Sequence, residues 1–392
     1  MKKIIETEKI PIKLWLDDIE EEALQQARNI ANFPHAHQHV AIMPDAHLGY
    51  GMPIGGVLAT RGVIIPNAVG VDIGCGMCAV KTALTEVTRD QLKDVMGKIR
   101  GQVPLGMTRH SKSQDKRYMP DLPLGPICKR EYGNAIKQVG TLGGGNHFIE
   151  IQKGSDGHIW LMIHSGSRNL GYTVASHYNK LAIKENQKKR DGLPKQWQLA
   201  YFKLSSSAGK MYLKEMEYCV AFALANRRLM MERLMEIVAE AMPGPSGPLS
   251  SGDFARMINI AHNYAALETH FGEAVYVHRK GATSARKGED GIIPGSQGTR
   301  SYVVKGLGCK DSFSSCSHGA GRRMSRTQAR KVLDLQTEKE RLDRLGVIHA
   351  LRHVRDLDEA SSAYKDIDRV MENQKDLVEV VMELTPLAVV KG

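Results

Sequence analysis

The stretch VGVDIGCGMCAVKT, Val69 to Thr82, sets a carboxylate and two thiols inside an apolar run punctuated by glycine. Asp72 and Cys75 stand among Gly70, Gly74 and Gly76, where an ordinary buried strand would carry branched side chains. Glycine weakens a strand interior and marks a bulge or a close approach to the backbone. A carboxylate and a thiol at this spacing can both ligate a metal. The competing reading is a tight turn beside a buried free cysteine that packs as a small hydrophobe. Cys75 and Cys78 also form a C-x-x-C pair, but no second pair completes a zinc ribbon, and Cys78 reads as packed.

Outward from this stretch the chain alternates short apolar runs with helical patterns. Strands are predicted at His39–Met43, Val57–Ala59, Gly62–Ile65 and Met77–Lys81, then at Phe148–Ile151 and Ile159–Ile163. A later strand block covers Ala274–Lys280, Gly291–Ile293 and Ser301–Gly306. Helices are predicted over 17–32, 86–100, 174–189 and 210–242, the last ending at the breaker PGPSGP, and over 366–383 in a helical C-terminal third. Residues 108–130, polar, basic and proline-containing, read as a long surface loop, and HAHQH at 35–39 and KKR at 188–190 as solvated. The order is no clean βαβ alternation, so a mixed α+β architecture is expected rather than a doubly wound sheet. GTLGGGNH neither opens a helix in the dinucleotide-binding manner nor carries the P-loop lysine, so neither standard nucleotide cradle is present.

The 392 residues carry a formal net charge of +11, which favours an anionic partner such as nucleic acid. No apolar run reaches membrane-spanning length and no secretory segment opens the chain, so a cytoplasmic protein without membrane partners is expected. Six cysteines in so long a chain make no disulfide scaffold.

Several polar groups end apolar runs, where a scaffold usually presents reactive groups to a cleft. Asp45 and His47 end HVAIMPDAH, Asn146 and His147 follow three glycines, and His164 ends IWLMIH. His262 and Asn263 lie in NIAHNYA, and His318 in SCSHGAGRR. Taken singly, such a histidine is more often a hydrogen-bonded structural residue than a ligand. Taken together, one Asp, one Cys and three His beside glycine-rich strand ends can supply two metal sites.

MPDAHLGYG, VGVDIGCGM, GTLGGGNHFIE, HSGSR, HRKGATSA, IPGSQGTRS, CSHGAGRRMSR, AYKDID and the terminal VKG, in this order, resemble the RtcB family of RNA ligases. The resemblance implies one catalytic domain over 1–392, with mostly antiparallel or mixed sheets surrounded by helices and a helical insertion around 174–242. It implies joining of RNA ending in a 2′,3′-cyclic phosphate or 3′-phosphate to RNA with a 5′-hydroxyl, using GTP and two Mn²⁺. Asp72, Cys75 and His147 would hold one ion, and Cys75, His164 and His262 the other, with the glycines letting backbone and metals approach. His318 would be the guanylylated nucleophile, with space for phosphate left by Gly319 and Gly321. Ligand type alone would suggest zinc, since manganese stands lowest in the affinity order of divalent first-row metals.

The same resemblance places GMP against Asn146, His147, Phe148, Ile149 and Glu150, against His262 and Asn263, and against Pro294, Gly295, Ser296 and Gln297. Ser301, His318, Gly319, Ala320, Gly321, Tyr364 and Lys391 complete that set. Glu150 can accept from guanine N1–H and N2–H while Lys391 donates to O6, a complement adenine lacks. Tyr364 would pack on the base, or is an ordinary half-buried tyrosine before a helix. Arg168, Arg322 and Arg326 would grip RNA ends, because planar guanidinium groups suit phosphate oxygens. The family's usual PGSMG is PGSQG here, and the Gln297 amide could add a hydrogen bond to nucleotide or loop backbone. Expected partners are tRNA halves or cleaved tRNA or ribosomal RNA, with room for an archease-like activator; a monomer is expected. A dinuclear metal phosphohydrolase, which would not consume GTP, and a non-catalytic RNA binder are the rival readings.

Overall fold

The computed structural model describes residues 1–189, 193–242 and 256–392. The breaker PGPSGP and the last residue of KKR lie outside them.

Among the described residues two large sheets dominate. In the seven-stranded sheet the order is Ile258–Ala261, Gly76–Lys81, Ile159–Ser165, Phe148–Gly154, Val378–Lys391, Ser301–Gly306 and Asp290–Ile293. Every neighbouring pair in it is antiparallel. The six-stranded sheet runs Lys3–Ile5, Ile12–Leu14, Ala36–Tyr50, Met52–Thr60, Glu273–Lys280 and Asn263–His270, with one parallel pair, Ile12–Leu14 on Ala36–Tyr50. The expected mixed α+β fold with mostly antiparallel sheets is what forms. Helices cover the sheets, with none among the described residues long and apolar enough to cross a membrane.

The two-residue period of a strand sorts side chains between the faces of the seven-stranded sheet. Cys78, Val80, Ile149, Ile151, Leu161 and Ile163 face a core closed by Leu92, Val95, Met230 and Leu234, from helices Arg89–Gln102 and Ser207–Ala241. Met77, Ala79, Trp160 and Met162 face the other way, onto Ile292 and Val303. Cys78 is therefore packed, as its sequence context suggests. The first helix is started by a Thr88–Gln91 capping box and the second by Ser206, whose hydroxyl accepts from the Gly209 N–H.

Three expectations fail. Residues 366–383 hold only a short helix, Ile367–Glu372; Val378–Lys391 is a strand paired on both edges. The β-branched run VEVV favours a strand, and pairing with Ser301–Gly306 fixes it. HAHQH is not solvated throughout, because His37 and His39 are buried. His39 stacks on Phe313 with centroids 4.4 Å apart, and burial pushes its imidazole down to about 4. Residues 108–130 are not all loop, since helix Pro126–Gln138 starts within them, its proline in the first turn where no N–H is needed.

Candidate active site

The opening stretch is not continuous strand. A short helix, Pro66–Val69, gives way to a turn over 70–75, and the strand starts at Gly76. A Cβ on Gly76 would collide with the Ile260 carbonyl of the adjoining strand. The crowding this glycine relieves comes from the protein's own backbone, one of the two close approaches expected of it.

The turn carries Asp72 and Cys75 to the ends of two neighbouring strands. Cys75 Sγ lies 3.4 Å from His147 Nε2 and 3.3 Å from His164 Nε2. Asp72 Oδ2 lies 3.2 Å from His147 Nε2. The far ring nitrogens are held by backbone: His147 Nδ1 is 2.9 Å from the Leu142 carbonyl and His164 Nδ1 is 3.0 Å from that of Asn146. A carbonyl can only accept, so the His164 Nδ1 carries the proton and its Nε2 lone pair points into the cluster, while His147 Nδ1 also has the Arg168 guanidinium at 3.3 Å. His262 closes it, its ring centroid 5.2 Å from that of His164, its N–H donating to the Cys75 carbonyl and its Nδ1 buried without a hydrogen-bond partner.

Electrostatics favour an incoming cation. Burial holds His164 and His262 well below the usual imidazole range, hence neutral at pH 7. Burial, and then the Asp72 charge, push the Cys75 thiol well up. Burial acts to raise Asp72 too, but its hydrogen bond to His147 outweighs this and the net shift is downward. A carboxylate, neutral imidazoles and a thiol that a cation would ionise are a donor set fit for divalent metal.

His318 follows the strand Ser315–Ser317, which pairs with Ala282–Ser284. Its Nδ1 lies 2.6 Å from Asp45 Oδ2, and the same oxygen accepts its backbone N–H at 3.0 Å. Asp45 is fully buried, and no second orientation of the ring would keep this bond. Nε2 is left free as a nucleophile. The ring centroid is 4.8 Å from that of His262. Gly321, at φ 73°, presses against the Asp45 backbone, where a Cβ would overlap the carbonyl. It seats the turn on Asp45; room for phosphate is not what requires it.

The remaining expected residues fall into two groups. Asn263 is a brace: its side chain donates to the Asp72 carbonyl at 3.1 Å and accepts from the Gly281 N–H at 2.8 Å. Ser301 Oγ accepts from Gln152 and from the Gly295 N–H, and Ser296 bonds to Thr299 across the Pro294–Arg300 loop. Phe148 lies under Lys391, whose ammonium is 5.5 Å from the ring centroid, and Ile149 points into the core on the other face. Glu150 is buried, bonded to Gln152, and burial pushes its carboxyl up to about 8. Gly319 and Ala320 form the turn after His318 beside Pro294.

Arg168 stands next to His147 and over the glycine run, where a Cβ on Gly143 would strike its guanidinium. Arg322 and Arg326 converge instead on Glu359, at 3.4 and 3.0 Å. Tyr364 donates to the same carboxylate, and the Arg322 guanidinium lies 5.1 Å from its ring centroid. Lys391 Nζ is 3.8 Å from Glu359 Oε2. Gln297 Nε2 donates to the Glu359 carbonyl at 2.8 Å, a backbone partner outside its own loop.

Glu359 is the residue sequence reasoning missed; it sits in VRDLDEAS, a charged run that resembles any solvated surface. Arg227 was missed too. It is fully buried in helix Ser207–Ala241 and donates to the Gly74 and Ser165 carbonyls at 3.0 and 2.8 Å. Its neighbour Arg228 gave the pair the look of a helix surface. Lys280, adjacent to Gly281, donates to the Tyr50 and Asn67 carbonyls, and burial pushes its amine down to about 7.

Cys75, His147 and His164 form a buried set of donors that could hold a metal, and His318, braced by Asp45, stands beside it: a layout suited to a metalloenzyme. A family model described as tRNA-splicing ligase RtcB matches residues 26–122 and 112–392. The chain is 41% identical to RNA-splicing ligase RtcB of Escherichia coli K12, over all of this chain and 99% of that one. It is 30% identical to tRNA-splicing ligase RtcB of Pyrobaculum aerophilum and 31% to that of Methanococcus maripaludis, in both cases over 98% of this chain and 95% of the other. The chain belongs to the RtcB family of RNA ligases.

Proposed function

We propose that the protein joins RNA ending in a 2′,3′-cyclic phosphate or 3′-phosphate to RNA bearing a 5′-hydroxyl, at the expense of GTP. The observation that carries this reading is the pairing of His318 Nδ1 with buried Asp45, which leaves Nε2 free beside the metal-competent cluster. His318 Nε2 attacks the α-phosphorus of GTP, forming a P–N bond as pyrophosphate leaves. Asp45 stabilises the ring as it becomes cationic. The GMP then passes to the RNA 3′-phosphate, giving an RNA(3′)pp(5′)G end, and the 5′-hydroxyl displaces GMP. A cyclic phosphate is opened to the 3′-phosphate beforehand.

Asp72, Cys75 and His147 would hold one Mn²⁺ and Cys75, His164 and His262 the other, with the thiolate shared. When bound, the ions supply charge neutralisation at the phosphates. Manganese rather than zinc rests on family membership. Glu150 and Lys391 read guanine, with Phe148 and Tyr364 as its apolar neighbours, and Arg168, Arg322 and Arg326 take RNA-end phosphates. The protein works as a monomer on tRNA halves or on cleaved tRNA or ribosomal RNA, with or without an archease-like activator.

Purified protein incubated with Mn²⁺ and α-labelled GTP is expected to take up label, and His318→Ala to stay unlabelled. Equal labelling of the variant removes His318 from the nucleophile role. Phosphate release without GTP consumption would favour the phosphohydrolase instead.

A further inference from the structure

An open cavity of about 620 Å³ lies between the loop Ser296–Arg300 and the segment Ser361–Asp368, with Arg323 and Arg341 in its lining. Of its lining, Ser296 and Tyr364 belong to the proposed nucleotide set; Arg323, Arg341, Ser361 and Lys365 have no part in the proposed function. The cavity is one turn of chain from the nucleophile: the Lys365 N–H donates to the Gly321 carbonyl and the Arg323 N–H to that of Ala363. Lys365 Nζ reaches the Ala46 carbonyl, beside Asp45, at 2.7 Å.

The charges in this cavity are unequally matched. Its acids are engaged: Asp366 caps helix Ile367–Glu372, and Asp368 pairs with Arg300 and accepts from the Tyr302 hydroxyl. Its other cations are not. Among the described residues Arg323, Arg341 and Lys365 form no ion pair; Arg341 touches only the Ser362 hydroxyl, at 3.2 Å, and Lys365 only a carbonyl. Burial pushes the Lys365 amine down, which an incoming anion would offset. Ser361 Oγ, in the same wall and buried, has no hydrogen-bond partner. Three uncompensated cations and an unused hydroxyl around one opening match phosphate oxygens.

We propose that the cavity formed by Arg323, Arg341, Lys365 and Ser361 is a second RNA site, which holds backbone phosphates of the single strand running past His318. The cavity is wider than one phosphate, as a passing backbone requires. The ligase reading supplies the identity of the strand; the test does not depend on it.

The test uses the full chain with Arg323→Ala, Arg341→Gln and the double variant, the glutamine keeping a donor for Ser362. Single-stranded RNA binding is titrated against salt without GTP or metal, and His318 guanylylation is measured in parallel to establish folding. Loss of two phosphate contacts should flatten the slope of log affinity against log salt by about 1.4, and weaken binding roughly tenfold or more at low salt. Guanylylation should stay at the wild-type rate. Unchanged RNA affinity and slope in the double variant overturn the proposal. So does a double variant that loses only inhibition by pyrophosphate, since the cavity would then serve a free anion. Failure of guanylylation in the wild type would strike the proposed ligase mechanism and leave this binding result standing.

Discussion

The cluster around Cys75 and the ring of charges around Glu359 are built differently. In the first, the His147 and His164 rings are each tied through Nδ1 to a backbone carbonyl, and His262 is held by its own backbone N–H on the Cys75 carbonyl. In the second, Arg326, Tyr364 and Lys391 are tied to one another through the Glu359 side chain, and Arg322 joins them there while also donating to the Met324 and Asp358 carbonyls. Backbone anchors keep their geometry when a ligand arrives, because the sheet holds them. Side-chain anchors must be remade, because phosphate and carboxylate compete for the same guanidinium groups. The first region is set for chemistry, and the second for exchange of substrates.

If the nucleophile belongs with the rigid region, removing its anchor should give the largest effect. Asp45→Asn keeps the size of the group but removes the charge that fixes the Nδ1–H tautomer. By analogy with serine-protease triads, where the same change costs about 10⁴ in rate, His318 guanylylation should fall by roughly 10³ to 10⁴. Single-turnover labelling measures it. A loss below about tenfold would mean that packing alone orients His318, and the contrast between the regions would weaken.

Glu359→Gln addresses the second region. Burial acts to raise the Glu359 carboxyl, but Lys391 and then Arg322 outweigh it and the net shift is downward, so the group is ionised at neutral pH. Breaking a buried pair by removing one partner costs about 3–5 kcal/mol, and partial exposure of Arg326 argues for the lower end. Urea unfolding should show that loss. Ligation should slow well beyond guanylylation, since Arg322 and Arg326 lose their common anchor while His318 keeps Asp45. Equal slowing of both steps would show that Glu359 supports the whole site.

The same contrast explains what was legible. Cys75, His147, His164 and His318 stand at the ends of apolar runs beside glycines, so pattern and chemistry pointed to the same positions. Asp45 was visible for the same reason, although its pairing with His318 was not. Glu359 and Arg227 carry no such local mark, because their meaning depends on groups far away in sequence: Lys391 for one, the Gly74 and Ser165 carbonyls for the other. The terminal strand Val378–Lys391 failed for a related reason. Its β-branched residues favour a strand, but Glu379 and Glu383 stand four apart, a spacing that also suits one face of a helix, and the pairing on both edges decides between them. The glycines were legible as points of close approach, and the structure names the backbone they meet: the Ile260 carbonyl for Gly76 and Asp45 for Gly321.

A smaller effect concerns pH. Burial raises Glu150 to about 8, so at neutral pH much of it is protonated before nucleotide binds. Accepting from both guanine N1–H and N2–H needs the carboxylate. GTP affinity should therefore rise with pH, by up to tenfold per unit below about 8, and level off above it. The sign for stability is opposite: a carboxyl whose folded value is raised favours the folded state at low pH, and that contribution is lost between about 4.5 and 8. Calorimetric titration of GTP from pH 6 to 9 checks the binding profile, and Glu150→Gln should flatten it. A falling affinity over that range would place the base elsewhere.

The smallest effect tests the link between the nucleotide loop and the charge ring. Gln297 joins them through one hydrogen bond to the Glu359 backbone, where the family's usual residue is methionine. Gln297→Met keeps an unbranched chain of similar length in a buried position but leaves the Glu359 carbonyl without this donor. A single bond of this kind is worth about 0.5–1.5 kcal/mol, so GTP affinity should drop between about twofold and tenfold if the loop's placement depends on it. RNA affinity should change by less, because Arg322 and Arg326 hold the carboxylate rather than the carbonyl. A larger loss in RNA than in GTP binding would mean that the bond steadies Glu359 for the arginines, and would merge the nucleotide loop with the exchangeable region instead of the rigid one.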